Sequence, residues 1–310
     1  MKPDLSVIIP AYNEAENVSA IMDAFKNFLK RTSINIQLVF VDDGSSDNTI
    51  DCISEYTYIG CEVKIVKLSR NFGSHAAIRA GIKSADADDC MFYYMDMSEP
   101  IDYIETYYKE LKNGYNLVYS DRIGYKGSLG SRIFAKLVVK YIEQTYPLNG
   151  VSVLAFDKKI KDELNNNIEN NSSIFFQIFQ LGYKKRAILT EHIERKRGAS
   201  KWTLKKKIKL FIDSFVIFSY MPIRMISGIG IILAILGFIW AIFIIICKLF
   251  NLIDFSLGWP TISSILLIGF GITNISLGII SEYLVRTLDA SRKRPVFIID
   301  EVYYKDANTN

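Results

Sequence analysis

Short apolar runs alternate with amphipathic stretches over the first 120 residues of the chain. The runs are rich in β-branched and aromatic residues, and their lengths suit buried strands. They cover residues 5–9, 36–41, 62–68, 90–95 and 115–119. Helical periodicity marks the segments between them, at 14–31, about 47–57, 73–84 and 101–112. This alternation predicts an α/β domain with a mostly parallel sheet covered by helices on both faces.

Two uncharged runs near the C-terminus have a different pattern. Residues 225–247 form 23 consecutive positions without a formal charge, which as a helix would measure roughly 34 Å. The hydrocarbon core of a bilayer is about 30 Å thick. A second run covers 255–281, with its helix expected at about 259–281. We therefore predict a two-helix transmembrane hairpin, the alternative being a pair of buried helices in a soluble protein.

Basic residues flank this hairpin, whereas its connecting loop carries only Lys248. The positive-inside rule then predicts a multi-pass protein of the cytoplasmic membrane with both termini on the cytoplasmic side. Residues 201–224 are expected to form a basic amphipathic helix at the membrane surface. The spacing of apolar and basic residues over 128–147 predicts another helix, which is either an interfacial helix or an ordinary surface helix. The expected domains are a catalytic domain over 1–200, the interfacial helix over 201–224, the spans over 225–281 and a cytoplasmic tail over 282–310.

Composition narrows the class of protein. Half of the 310 residues are hydrophobic and 23% are charged, which excludes a disordered or low-complexity chain. A net charge of +4 is too small to indicate nucleic acid as a partner. The four cysteines lack a CxxC pair and the two histidines, His75 and His192, are not near them in sequence. Neither a zinc site nor a disulfide framework is expected.

Polar clusters follow four successive predicted strands. They are Pro10 to Glu14, Asp42 to Asp47, Ser69 to Gly73 and Met95 to Pro100. In parallel sheets ligands bind beyond the carboxyl ends of the strands. Carboxylates and an arginine at such an edge suit a nucleotide diphosphate held through a divalent cation, because Mg²⁺ shares oxygen ligands between carboxylates and phosphates. His75, in the first turn of the helix that follows the third cluster, either packs there or contacts the ligand.

The runs SVIIPAYNEAENV, VFVDDGSSDNT and LSRNFGSHAAIRAGI resemble the family 2 glycosyltransferases of the Rossmann-like GT-A fold. Three later segments are similar to the polyprenyl-phosphate branch of that family, which includes dolichol-phosphate mannose synthases and bacterial undecaprenyl-phosphate glucosyltransferases. These segments are ERKRGASKWTLKKKIKLFIDSFVIFSYMPIR, the triplet GWP at 258–260, and LGIISEYLVRTLDASRKRP. The resemblance covers nearly the whole chain.

The resemblance implies roles for particular residues. Mg²⁺ or Mn²⁺ would be held by Asp96, the second acid of the family's Asp-x-Asp motif. The implied catalytic residues are Asp96, Glu99 and Arg122. The implied donor-binding residues are Pro10, Tyr12, Glu14, Asp42, Asp43, Arg70 and Tyr94. The residues implied to bind the acceptor phosphate are Arg195, Arg197, Ser200 and Lys201.

Three features of the sequence depart from the family pattern. Tyr94 stands at the first acid of the metal motif, which bears on metal affinity. The family's Asp-Phe-Arg-Leu segment reads GVSVLAF at 150–156, without acid or arginine, which bears on the identity of the sugar. Glu99 also replaces the aspartate of the family's Gln-Asp-Pro sequence.

The function implied is an inverting transfer of a sugar from a nucleotide sugar, expected to be a UDP-hexose, to polyprenyl phosphate at the cytoplasmic membrane face. The lipid-linked product would supply cell-envelope glycan modification. The other partners implied are the lipid membrane and further copies of the chain, since some relatives are tetramers. Three alternatives are a degenerate nucleotide-binding protein without turnover, a transferase acting directly on a lipid-linked glycan or a protein, and a non-enzymatic membrane scaffold. A processive synthase is disfavoured, because the chain lacks further spans and a Gln-x-x-Arg-Trp motif.

Overall fold

The computed structural model describes residues 2–56, 60–123, 129–141, 143–169, 172–191, 258–292 and 294–305, and scattered residues between 228 and 250. The chain divides into two units, Met1–Phe211 with Pro295–Asn310, and Ile212–Arg294. The first unit contains eight described strands, which are β1 (Leu5–Ala11), β2 (Ile36–Asp42), β3 (Glu62–Leu68), β4 (Asp89–Phe92), β5 (Leu117–Ile123), β6 (Leu154–Phe156), β7 (Lys185–Glu191) and β8 (Ile299–Lys305). Its described helices are α1 (Ala15–Leu29), α2 (Thr49–Glu55), α3 (Ser74–Ser84), α4 (Tyr103–Lys112), α5 (Leu129–Tyr141), α6 (Lys158–Asn166) and α7 (Ile174–Gln180). The second unit contains α8 (Trp259–Ser291).

One sheet holds all eight strands, in the order β7-β5-β6-β4-β1-β2-β3-β8. β1 pairs in parallel with both β2 and β4, and β2 pairs in parallel with β3. β6 runs antiparallel to β4 and β5, so β5 points in the same direction as β4. Every residue of β2 is buried, and its apolar side chains meet core on both faces of the sheet, as is typical of a central parallel strand.

Helices cover the sheet on two sides. One apolar cluster joins α1, α2 and α4 to the sheet, and a second joins α3, α6 and α7. The predicted α/β class with a mostly parallel sheet is therefore confirmed. Element ends differ from the expectation by a few residues: β1 continues to Ala11, β4 ends at Phe92, and β5 covers Leu117–Ile123.

The C-terminal residues give a result that the sequence pattern did not indicate. β8 lies inside the stretch expected to be a tail, and it pairs antiparallel with β3 at the edge of the sheet. α8 continues beyond the expected end of the second span to Ser291.

The predicted membrane segments are covered only in part. Within the described residues, no helix combines the length and hydrophobicity needed to cross a bilayer. The interfacial helix expected at 201–224 lies outside the described residues, as does part of the first span over 225–247. The transmembrane hairpin stays a prediction. A helix was expected over 128–147, and α5 occupies Leu129–Tyr141.

Candidate functional site

The carboxyl ends of β1 to β5 meet at one edge of the sheet. β4, β1, β2 and β3 are parallel neighbours, and Ala11 lies opposite Asp42 where β1 and β2 end. β5 points the same way, and Arg122 is its next-to-last residue. Pro10 lies inside β1, paired with Val41. The edge therefore collects the other sequence-predicted residues of the first unit that the structure describes, namely Tyr12, Glu14, Asp42, Asp43, Arg70, Tyr94, Asp96, Glu99 and Arg122.

The two carboxylates after β2 are buried and hold the surrounding backbone. Asp42 is 1% exposed and accepts a hydrogen bond from the Ser45 N–H at 3.1 Å. Asp43 is 4% exposed and accepts from the N–H groups of Phe72 at 2.7 Å and Gly73 at 2.9 Å. Asp43 thus ties the end of β2 to the loop between β3 and α3.

Gly44 lets the loop after β2 approach the loop after β3 closely. Its φ is +68°, and a Cβ built there would lie 2.6 Å from the carbonyl carbon of Arg70. The exposed guanidinium of Arg70 lies over the Phe72 ring, 4.2 Å from the centroid. This cation–π contact orients a positive charge at the carboxyl edge.

Backbone N–H groups of the loop after β1 donate hydrogen bonds to side chains in the segment that follows β2. The Asn13 N–H donates to Ser45 Oγ and the Glu14 N–H to Thr49 Oγ1, both at 2.9 Å. The Ala15 N–H donates to Asp47 Oδ2 at 3.3 Å. Burial alone would raise the pKa of Asp47, but the hydrogen bonds from Thr49 and Ala15 outweigh it and lower that pKa.

Two polar side chains of this loop have different surroundings. Asn17 Nδ2 donates to Glu14 Oε2 at 2.6 Å, so the Glu14 carboxylate contacts the first turn of α1. Tyr12 is 37% exposed, which leaves part of its ring accessible at the edge.

The loop after β4 carries Asp96 in a tight turn. The Met97 N–H donates to the Tyr94 carbonyl at 3.1 Å, and Met97 has a φ of +46°. Asp96 Oδ1 accepts from the Ser98 N–H at 3.2 Å. Tyr94 and Asp96 are both half-buried.

Glu99 ends this loop in a different environment. It is 1% exposed, and its carboxylate accepts hydrogen bonds from the hydroxyls of Tyr107, at 3.0 Å, and Ser152. Its carbonyl accepts from the Tyr93 hydroxyl at 2.5 Å. Burial, together with the nearby Glu99 carboxylate, raises the pKa of Tyr107 well above its usual value. Glu99 is therefore enclosed by protein groups.

A metal would have few protein ligands at this edge. Among the described residues, no three or more His, Cys, Asp or Glu side chains are grouped as a metal site. Mg²⁺ nevertheless keeps several waters and binds through one or two carboxylates together with substrate phosphates. The half-buried Asp96 carboxylate fits that limited requirement.

His75 packs at the start of α3. Its ring lies edge-on to Phe175, with centroids 5.7 Å apart. Both ring nitrogens are buried and have no hydrogen-bond partner among the described residues. Burial, followed by the neighbouring charge of Arg79, lowers the pKa of His75 to about 4. His75 is thus neutral at pH 7.

The residues expected to bind the acceptor, Arg195, Arg197, Ser200 and Lys201, lie outside the described residues. The described part of β7 ends at Glu191, and its pairing with β5 is parallel. That strand end therefore lies at the edge where β5 ends.

Sequence reasoning did not identify Ser152, Tyr107 or Thr49 as part of this region. The departure of residues 150–156 from the family pattern marks the segment that contains Ser152 but does not single out the serine. Nothing in the local pattern distinguishes Tyr107 from a core tyrosine of α4. The importance of Thr49 comes from its contact with Glu14, which is distant in sequence.

Comparison with known proteins gives consistent matches. The family model described as glycosyl transferase family 2 matches residues 6–188. The uncharacterized glycosyltransferase YkcC of Bacillus subtilis (strain 168) is 31% identical over 96% of this chain and 94% of its own length. The undecaprenyl-phosphate 4-deoxy-4-formamido-L-arabinose transferase of Proteus mirabilis (strain HI4320) is 29% identical over 96% of this chain and 93% of its own length.

Among solved structures, a crystal structure of glucosyl-3-phosphoglycerate synthase from Mycobacterium tuberculosis is similar to this chain. That protein was crystallised with Mn²⁺, UDP-glucose and phosphoglyceric acid. The TM-score is 0.50 at 14% identity, covering 69% of this chain and 78% of that one. The likeness supports the GT-A fold.

Proposed function

The chain belongs to glycosyl transferase family 2, and from this premise we propose that it transfers one hexose from a UDP-sugar to undecaprenyl phosphate, with inversion. The lipid-linked product would serve as a sugar donor for cell-envelope glycan modification. The observation that carries the proposal is the convergence of four polar loops at the carboxyl ends of β1 to β4. A relative named for transfer onto undecaprenyl phosphate, matched over 93% of its own length, supports the acceptor.

The nucleotide would bind over the joined loops after β1, β2 and β3. Asp43 holds two of these loops together through the Gly73 N–H, which would fix the surface that receives the base and ribose. The Arg70 guanidinium, oriented by its contact with Phe72, would lie near the donor diphosphate. Tyr12 and Tyr94 would offer their rings to the donor. Preorganised charges of this kind stabilise a leaving diphosphate without reorganisation during the reaction.

Asp96 would hold Mg²⁺ or Mn²⁺ together with the donor phosphates. Such an ion, when bound, supplies positive charge to the departing diphosphate. With Tyr94 at the other position of the motif, Asp96 would be the metal-binding carboxylate of this loop. We therefore expect weaker metal affinity than a pair of carboxylates would give.

The acceptor phosphate is anionic near neutral pH, so its oxygen attacks without a strong general base. Catalysis then depends on positioning the two substrates. The enclosed carboxylate of Glu99 suits support of the loop better than proton transfer. Arg122 at the end of β5 and the basic residues that follow β7 in sequence would receive the lipid phosphate, since guanidinium groups bind phosphate oxygens in pairs.

The uncharged runs at 225–247 and 255–281 would keep the transferase at the cytoplasmic face of the membrane. An isoprenoid phosphate presents its charged head at that surface, so anchoring raises the encounter frequency. The cluster of lysines at 205–209 would attract the anionic headgroup layer.

The test uses the purified full chain with a panel of labelled nucleotide sugars, Mg²⁺ or Mn²⁺, and undecaprenyl phosphate. We expect label from one UDP-hexose to appear in the organic extract only when the lipid phosphate is present. In a parallel reaction with a lipid-linked glycan added, label on the glycan but none on undecaprenyl phosphate would favour the alternative acceptor. Binding of UDP without transfer from any donor would indicate a degenerate site.

A further inference from the structure

The Glu99 carboxylate lies in a buried polar cluster at the end of the Asp96 turn. Tyr107 Oη donates to Glu99 Oε2 at 3.0 Å, and the Ser152 hydroxyl donates to Oε1. A buried carboxylate is costly unless its oxygens accept hydrogen bonds. Each oxygen of Glu99 has one such donor, so the side chain is held in a single position.

Ser152 is held in place by hydrogen bonds to Ser120 of β5. Ser120 Oγ accepts from the N–H groups of Ser152, at 3.3 Å, and Val153, at 3.2 Å. The two serine hydroxyl oxygens are 3.1 Å apart. Ser152 precedes β6, whose first residue Leu154 pairs with Phe92 at the end of β4. The cluster therefore lies at the carboxyl edge of β4, where the Asp96 turn begins.

The turn is held at both ends. At its start, the Tyr93 N–H donates to the Ile8 carbonyl of β1 at 2.9 Å. At its end, the Glu99 carbonyl accepts from the Tyr93 hydroxyl, and the carboxylate accepts from Tyr107 and Ser152. Asp96 lies in the same turn, three residues before Glu99, so we expect a shift of Glu99 to move the carboxylate that would hold the metal.

We infer that Ser152, acting with Tyr107, is a positioning residue that fixes Glu99 and thereby the Asp96 turn. The inference rests on the proposed function. Glu99 and the segment that contains Ser152 both depart from the family pattern, and they are in direct contact because the Ser152 hydroxyl donates to the Glu99 carboxylate.

The experiment compares Ser152→Ala with Ser6→Ala in the full chain. Ser6 is a matched control because its hydroxyl is buried, donates to Gln37 and accepts from the Ala87 N–H, at the opposite ends of the strands. The measurements are kcat, the donor KM, the Mn²⁺ concentration for half-maximal rate, and the Kd of UDP by titration calorimetry with Mn²⁺ present. Thermal unfolding of each variant shows that it is folded.

For Ser152→Ala we expect a fall in kcat of about tenfold or more, since small displacements of a catalytic group have large effects on rate. The Mn²⁺ requirement should rise several-fold, while Ser6→Ala stays within about twofold of the unaltered chain. Ser152→Thr, which keeps the hydroxyl, should recover most of the rate. If Ser152→Ala does not fold, Tyr107→Phe removes the other donor to Glu99 and should produce the same pattern.

The inference is overturned if both Ser152→Ala and Tyr107→Phe keep the normal rate and Mn²⁺ requirement. It is also overturned if Ser6→Ala loses as much of the rate as Ser152→Ala does. If the unaltered chain transfers no sugar, the proposed function fails instead. The UDP titration then still decides the positioning role: weaker Mn²⁺-dependent UDP binding in Ser152→Ala alone supports it, and equal binding in all variants contradicts it.

Discussion

The carboxylate of Asp43 accepts a hydrogen bond from the Gly73 N–H at 2.9 Å, which links the end of β2 to the residue before α3. The other carboxylate oxygen accepts from the Phe72 N–H. Two backbone donors of one loop are thus satisfied by one side chain of another. The nucleotide surface proposed above depends on this link.

Replacing Asp43 by Asn should destabilise the domain by about 1–3 kcal/mol, because an amide offers one acceptor where the carboxylate uses two. UDP affinity should fall as well, since Phe72 and Arg70 would lose their fixed position. Urea unfolding and UDP titration measure the two effects. Asp51→Asn is the control, because Asp51 is exposed on α2. Equal stability of the two variants would contradict the structural role.

Gly44→Ala should cost more stability than Gly114→Ala. Both glycines have positive φ, +68° and +90°, but a Cβ on Gly114 meets no atom within 4 Å. The positive φ alone costs roughly 1–2 kcal/mol. At Gly44 the backbone of Arg70 must also move, so we expect a further loss of stability. Chemical denaturation of the two variants gives the comparison, and an equal loss would exclude a steric contribution at Gly44.

His75 should make the domain less stable as the pH falls from 7 to 5. Its pKa is about 4 in the folded state and about 6.5 when unfolded. Between these values the unfolded chain binds more protons, so the free energy of unfolding decreases as pH is lowered. The histidine should contribute a loss of about 2 kcal/mol over this range.

The measurement for His75 is urea unfolding at pH 7 and pH 5, repeated with His75→Gln. The variant should lose less stability over the same range. Identical pH dependence in the two proteins would show that His75 is protonated in the folded state or exposed to water.

Asp96→Asn should reduce sugar transfer by about 100-fold or more, since it removes the charge expected to hold the metal. Unfolding and UDP binding without metal should change little. Asp102→Asn is the control, because Asp102 forms an exposed ion pair with Arg31 and such pairs contribute little. Retained transfer in Asp96→Asn would show that the metal, if used, binds elsewhere.

Tyr94→Asp should lower the Mg²⁺ concentration needed for half-maximal transfer, because a second carboxylate adds to the metal site. A titration of rate against Mg²⁺ at fixed donor tests this, with Tyr94→Phe as the control for loss of the hydroxyl. A lower rate in Tyr94→Asp at saturating Mg²⁺ would instead indicate that the tyrosine ring contacts the donor.

The alternating strands and helices could be predicted because the buried strands are continuous apolar runs and α1, α3 and α4 have amphipathic periodicity. β8 could not be predicted in the same way, because its sequence IDEVYYK alternates poorly between apolar and polar residues. This strand pairs with β3, which is far away in sequence. Convergence of the polar loops followed from the parallel topology. The environment of the Glu99 carboxylate could not be predicted, since one of its hydrogen-bond donors is Ser152, 53 residues away in sequence.

The most direct test of the central claim is the mass of the lipid product. The full chain would be incubated with Mn²⁺, undecaprenyl phosphate and the UDP-hexose chosen from the donor panel, and the organic extract analysed by mass spectrometry. The account predicts one new species, undecaprenyl phosphate carrying a single hexose, which disappears with Asp96→Asn. An unchanged lipid in the presence of bound UDP would contradict it.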